Sequence, residues 1–136
     1  MMQLPISDDL HDHICNKYDG CRNIMIMGRQ NSLYDHYAWS DLVITAGGIS
    51  LWECLQVGKP AVVVVTQENQ RNNAGMLASD GIVKCVVGRN SFTKNILRAV
   101  YEVKNRGVRR EMLKKGGELG IGSKTKTMVN NIYNYA

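Results

Sequence analysis

Ala61-Val-Val-Val-Val65 is the run that most restricts what this chain can fold into. It has strand length, is almost wholly β-branched, and shows no alternation of apolar and polar residues. A strand with one wet face alternates; one that does not is covered on both faces, as inside a parallel sheet. Gly58-Lys-Pro60 precedes it, the chemistry of a helix end: glycine past the C-terminus, then a proline that cannot continue. Eight consecutive polar residues, Thr66–Asn73, follow it. A helix that ends, a buried strand and a polar loop together make the core of a βα unit.

The same alternation extends along the chain. Ser7–Tyr18 sets Leu10, Ile14 and Tyr18 at four-residue spacing, with Ser7 as N-cap and Gly20 past the end, which predicts an amphipathic helix. Asn23–Met27 reads as a short buried strand, Gly28–Ser32 as a polar loop and Leu33–Trp39 as a short helix. Leu42–Thr45 is the next strand and Ile49–Val57 the next helix. Asn69–Ser79 reads as a helix closed by Asp80-Gly81, Ile82–Val87 as a strand, and Lys94–Lys104, Val108–Leu119 and Lys124–Tyr135 as helices. The expected class is α/β: a Rossmann-like parallel sheet with helices on both faces. Such a domain normally opens on a strand, whereas this chain opens on a helix, so a first βα unit is expected to be partly missing. At 136 residues a single domain, 1–136, is expected.

Composition excludes several classes. Hydrophobic residues make 44% and charged residues 21%, the balance of a water-soluble globular chain. No apolar run approaches the ~18–20 residues of a membrane span, and the N-terminus lacks the basic-then-apolar layout of a signal peptide. A cytoplasmic location is therefore expected. Cys15, Cys21, Cys54 and Cys85 form no CxxC pair and read as reduced thiols. His11 and His13 stand two apart, so on a helix they diverge and share no metal; no metal and no cofactor is expected. The net charge of +5 is uneven, with ten Lys and Arg against three Glu between Lys94 and Lys126. That patch reads as a solvated helical face, as a peripheral membrane or partner contact, or as a nucleic-acid surface; without interleaved aromatics, nucleic acid is not expected.

Ligands on such sheets bind at the carboxyl ends of the strands, which selects the loops at Gly28–Ser32, Ala46–Ser50 and Thr66–Asn73. In Ser40-Asp-Leu-Val-Ile-Thr-Ala-Gly-Gly-Ile-Ser-Leu-Trp-Glu53 a strand passes through Gly47-Gly48 into a helix. Glycines there let backbone N–H groups approach a phosphate, and Glu53 can accept hydrogen bonds from a pair of sugar hydroxyls. Ser50-x-x-Glu53 is also a capping box, with Glu53 reaching back to the Ser50 N–H, and the pair alone leaves both readings open. The amides of Thr66–Asn73 supply donors and acceptors suited to a sugar. Arg71 can meet a phosphate or simply be solvated.

Taken together, His36–Glu53, Gly58-Lys-Pro60 and Gln67–Asn73 resemble the C-terminal, donor-binding domain of GT-B glycosyltransferases (glycosyltransferase family 28). The likeness is to the peptidoglycan N-acetylglucosaminyl transferase group, and more closely to the UDP-sugar hydrolase of the pseudaminic acid pathway and its spore-coat polysaccharide homologues. Those share Ala-Gly-Gly, Trp-Glu and Glu-Asn-Gln, here at 46–48, 52–53 and 68–70. The resemblance is dense over residues 34–88. It implies that Glu53 binds the ribose hydroxyls of UDP and that Gly47, Gly48, Ile49 and Ser50 hold the diphosphate. It further implies that Arg29 and Gln30 read the uracil edge, and that Gln67, Asn69, Gln70 and Asn73 touch sugar or diphosphate. The glycine-rich loop carrying the hydrolase histidine has no counterpart here, so no catalytic residue is expected in this chain.

The function these features imply is UDP-sugar binding, as half of a glycosyltransferase or UDP-sugar hydrolase of polysaccharide or nonulosonic acid biosynthesis. An N-terminal GT-B lobe would complete the site. The alternative is a non-catalytic subunit paired with a separate acceptor-binding chain, as in the two-subunit transferase of lipid-linked oligosaccharide synthesis.

Overall fold

The structure is a computed structural model and describes residues 8–27, 30–88 and 91–121. Contacts divide the chain into two compact units, Met1–Leu33 and Tyr34–Ala136. In the first, α1 runs over Asp8–Lys17, and the chain turns at Gly20, whose φ of 75° is the left-handed value glycine tolerates. The strand expected at Asn23–Met27 does not form: residues 24–27 are irregular, and Met25 is 82% exposed. An apolar run supplies side chains for a strand, but the strand exists only where a neighbour completes the ladder. Ser7 as a cap and the helix expected at Lys124–Tyr135 lie outside the described residues.

The second unit alternates as the sequence predicts. Its elements are α2 (Tyr34–Trp39), β1 (Val43–Ala46), α3 (Ile49–Gln56), β2 (Ala61–Val64), α4 (Glu68–Ser79), β3 (Val83–Val86), α5 (Phe92–Lys104) and α6 (Arg106–Glu118). The strands make one parallel sheet in the order β1-β2-β3, three strands among the described residues where four were expected. β2 is central, and Ala61, Val62 and Val63 are wholly inaccessible to solvent, as its unbroken apolar run requires. One face of the sheet packs on α5 and α6, where Val62 and Val86 gather with Ala99, Val103 and Met112. The alternate residues of β2 and β3 face α3 and α4: Val63 lies against the Gly47 turn, and the Arg71 charge acts on Cys85.

Two helix ends feed the strands by the same device. After α3, the Gly58 N–H bonds the Leu55 carbonyl and the Lys59 N–H that of Cys54; after α4, Gly81 and Ile82 bond Ala78 and Leu77 in the same way. Both glycines are left-handed (φ 73° and 72°), and each pair of bonds satisfies helix carbonyls that would otherwise be orphaned. This Schellman closure aims the chain straight into β2 and β3. The basic Lys94–Lys126 segment falls on α5 and α6 as far as it is described. Ala99, Val103 and Met112 of these helices are buried, and part of their charge is paired along the helix, Arg98 with Glu102 and Lys114 with Glu118. No helix among the described residues is long and apolar enough to cross a membrane.

Candidate functional site

β1 ends at Ala46, and α3 begins three residues later at Ile49. The two glycines between them are present for different reasons. A Cβ on Gly47 would lie 3.0 Å from Gln70 Cβ and 3.5 Å from Val63 Cγ1, so Gly47 lets the turn press against α4 and the sheet. A Cβ on Gly48 would meet nothing within 4 Å, and its φ of −97° is one any residue adopts. Nothing inside the protein requires glycine at 48. A small residue there keeps the approach to the helix start open from outside.

Gly48 is also the N-cap of α3, and no side chain caps this end. The capping-box reading of Ser50 and Glu53 is thereby removed: helix begins before Ser50, which sits in the first turn instead of at the cap. Leu51 N–H bonds the Gly48 carbonyl at 3.2 Å. The N–H groups of Gly48, Ile49 and Ser50 precede it and have no intrahelical partner. Three donors at the positive end of a helix dipole have the chemistry to meet an anion. Ile49 is 60% exposed, and Ser50 and Glu53 are half-buried. The side chains at 50 and 53 share one face of α3, being three residues apart.

The polar loop after β2 meets this turn through one residue. Gln70, in the first turn of α4, touches Gly47 and accepts from the Thr66 N–H and the Thr66 hydroxyl, both at 3.1 Å. A backbone N–H can only donate, so the amide atom facing it is oxygen, and Gln70 is left presenting its NH₂. Gln67 is the N-cap of α4, exposed and without a side-chain cap bond. Asn69 and Asn73 are exposed, one turn apart on the same helix. Arg71 Nε pairs with Glu68 Oε1 at 2.9 Å, which occupies the charge that a phosphate would use. Of the two residues expected to read the base edge, Arg29 lies outside the described residues, and Gln30 is a half-buried member of the N-terminal unit.

Two features escaped the sequence. Tyr37 of α2 is only 6% exposed, and Ser50 and Glu53 of α3 act on its phenol. Burial raises this phenol above its usual range; Ser50 opposes the rise, and the Glu53 charge adds to it. The available signal was indirect: a buried tyrosine needs a partner for its hydroxyl. The second is a cavity of about 520 Å³ at the ends of β2 and β3, where Val65, Val87 and Phe92 lie with Thr66, Gln67 and Arg71. Only Gln67 of the expected site residues lines it.

Cys54, on the buried side of α3, is inaccessible to solvent, and burial pushes its thiol up to about 11 against the opposing charge of Lys59. It is a core atom and not a nucleophile. Among the described residues no three His, Cys, Asp or Glu side chains gather closely enough to hold a metal ion.

The family model of the glycosyltransferase family 28 C-terminal domain matches residues 7–127. No curated protein and no solved structure gives a significant match.

Proposed function

The chain belongs to the glycosyltransferase family 28 C-terminal domain family, and we propose that its nucleotide-sugar ligand is a UDP-sugar, held by its diphosphate at the start of α3. The observation that carries this is the uncapped α3 N-terminus, where Gly48, Ile49 and Ser50 offer N–H groups that no side chain closes. Glu53, released from any capping role and half-buried beside them, accepts the ribose hydroxyls. Gln70 adds an amide donor, and Gln67, Asn69 and Asn73 supply the amides that meet the sugar. As the glycosidic bond breaks, negative charge grows on the departing diphosphate, and fixed N–H dipoles stabilise it without reorganising.

In this reading the chain holds the leaving group, and an N-terminal lobe brings the acceptor and the catalytic base. Whether that acceptor is water, as in a hydrolase, or a glycan or lipid in polysaccharide synthesis is decided by that lobe. Titration calorimetry with UDP tests the ribose assignment. Glu53→Ala is expected to weaken binding by roughly 1–3 kcal/mol, the cost of losing charge-assisted hydrogen bonds. Unchanged affinity in a folded variant would refute it.

A further inference from the structure

α5 departs from the pattern of a surface helix on its outer side. Ala99 and Val103 are buried, and Ile96 and Val100 pack against the same core, which fixes the inner face. At about 100° per residue, the opposite ridge holds Lys94, Leu97, Arg98, Tyr101 and Lys104, all exposed. A ridge that faces water is ordinarily polar throughout. Here Leu97 is 62% exposed and Tyr101 76%, one turn apart, and Lys104 Nζ stands 5.9 Å from the centre of the Tyr101 ring. α6 continues the same surface. Arg109 Nη1 bonds the carbonyls of Val103 and Lys104 at 3.1 and 2.8 Å, which fastens the corner between the two helices. With Met112 turned into the core, the outer face of α6 carries Arg106, Arg110 and Lys114, again all exposed.

The charge of this layer is one-sided. Between Phe92 and Glu118 eight Lys and Arg stand against three Glu. Two of those acids are already held by cations, Glu102 by Lys84 and Arg98, and Glu118 by Lys114. The surface is thus a cationic field around a small apolar centre. A protein partner would favour an interface core poor in lysine, and a nucleic-acid backbone offers Leu97 nothing apolar. A bilayer of anionic lipid meets both properties: its headgroups attract Lys and Arg, tyrosine settles at headgroup level, and leucine enters the edge of the acyl layer. We propose that the outer face of α5, with Arg106, Arg110 and Lys114 of α6 beside it, docks on an anionic membrane surface. α5, about 20 Å long, lies flat on it, with Leu97 and Tyr101 at the headgroup–acyl boundary and the cations among the phosphates. Because α5 and α6 cover the sheet face away from α3 and α4, docking leaves the start of α3 open to its ligand.

Flotation of the full chain with lipid vesicles tests this. The chain is expected to bind phosphatidylcholine–phosphatidylserine vesicles mixed at roughly 7:3, and to bind phosphatidylcholine alone at least about tenfold more weakly. Leu97→Ala and Tyr101→Ala truncate exposed side chains outside the core, and each is expected to weaken binding to the mixed vesicles roughly fivefold. Lys94→Ala and Lys104→Ala are each expected to cost roughly fivefold as well, the worth of one cation at such a surface. Lys17→Ala, an exposed cation of α1, serves as the control and is expected to change binding by less than about twofold. No binding to the mixed vesicles, or equal binding to both kinds, would overturn the proposal. So would binding that Leu97→Ala and Tyr101→Ala leave unchanged, or that Lys17→Ala weakens as much as Lys94→Ala, since either means diffuse charge attraction and no docking face. Polyglutamate or a single-stranded oligonucleotide that displaced the chain from the vesicles at equal charge concentration would instead mark a general polyanion surface, and the proposal would fall.

Discussion

The helix that follows β1 and the helix that follows α5 begin in opposite ways. At the start of α6, Asn105 Oδ1 accepts from Gly107 N–H at 2.8 Å and Val108 N–H at 3.4 Å. At the start of α3 the cap is Gly48, and no side chain reaches back. α4 and α5, which also follow strands, likewise begin without a side-chain cap bond. The contrast tracks position. Helices that start at the carboxyl edge of the sheet leave their first N–H groups open, and the helix that starts after another helix closes them. Forgoing a cap costs about 1 kcal/mol in stability, and the donors left open are concentrated at the edge where ligands bind.

The largest effect expected from probing this contrast is at Gly47. An alanine there must displace Gln70 Cβ, 3.0 Å away, which belongs to a helix and not to a flexible side-chain tip. Overpacking of this kind should lower unfolding free energy by about 1–3 kcal/mol in a denaturant titration. A fully stable Gly47→Ala chain would show that the turn does not lean on α4.

Gly48→Ala is the complement. Its Cβ enters open space, so the fold should lose under about 1 kcal/mol, the difference between glycine and alanine as caps. UDP affinity should fall on the order of tenfold, because the methyl group occupies the ligand's approach. Asn105→Ala should do the reverse, costing about 1 kcal/mol of stability and leaving UDP affinity as in wild type. If Asn105→Ala and Gly48→Ala changed stability and binding in the same proportion, the division between closed and open helix starts would be wrong.

The smallest effect lies on the far side of the sheet. Lys84, by hydrogen bond and charge, holds the Glu102 carboxyl below the usual carboxylate range, with Arg98 adding to it. A carboxyl lowered in the folded state contributes stability above its unfolded pKa, and that contribution is lost as pH falls through the folded value. Melting temperatures of Glu102→Gln and wild type should therefore converge in acid and differ slightly near neutrality. The difference is small because this side chain is 39% exposed. A difference that grew toward acid pH would reverse the assigned sign.

What the sequence revealed, and what it hid, follows from the range of the interactions. β2 was legible because burial on both faces leaves an unbroken apolar run, and the ends of α3 and α4 because glycine at a left-handed position is a local requirement. The α/β class followed from that alternation, and the family match agrees with it. The strand expected at Asn23–Met27 failed because pairing is not a local property. Ser50-x-x-Glu53 has the spelling of a capping box, yet the tight turn at Gly47 and Gly48 starts the helix earlier, so the spelling carries another meaning. Tyr37 went unnoticed because Ser50 and Glu53, which act on its phenol, lie 13 and 16 residues away and come near it only through the packing of α2 on α3.

The register has a consequence of its own. Ala46 is level with Val64, and Val64 with Val86, so the three strands stop flush, like boards sawn at one line. Neighbouring strands lie about 4.8 Å apart, so the three loops leave from a ledge about 10 Å wide. Inserting one residue into β1 would lift the glycine turn about 3.3 Å off that ledge and reverse which face each later side chain of the strand meets. A change in the length of these strands would therefore displace every loop residue beyond it at once, whereas a substitution alters one side chain.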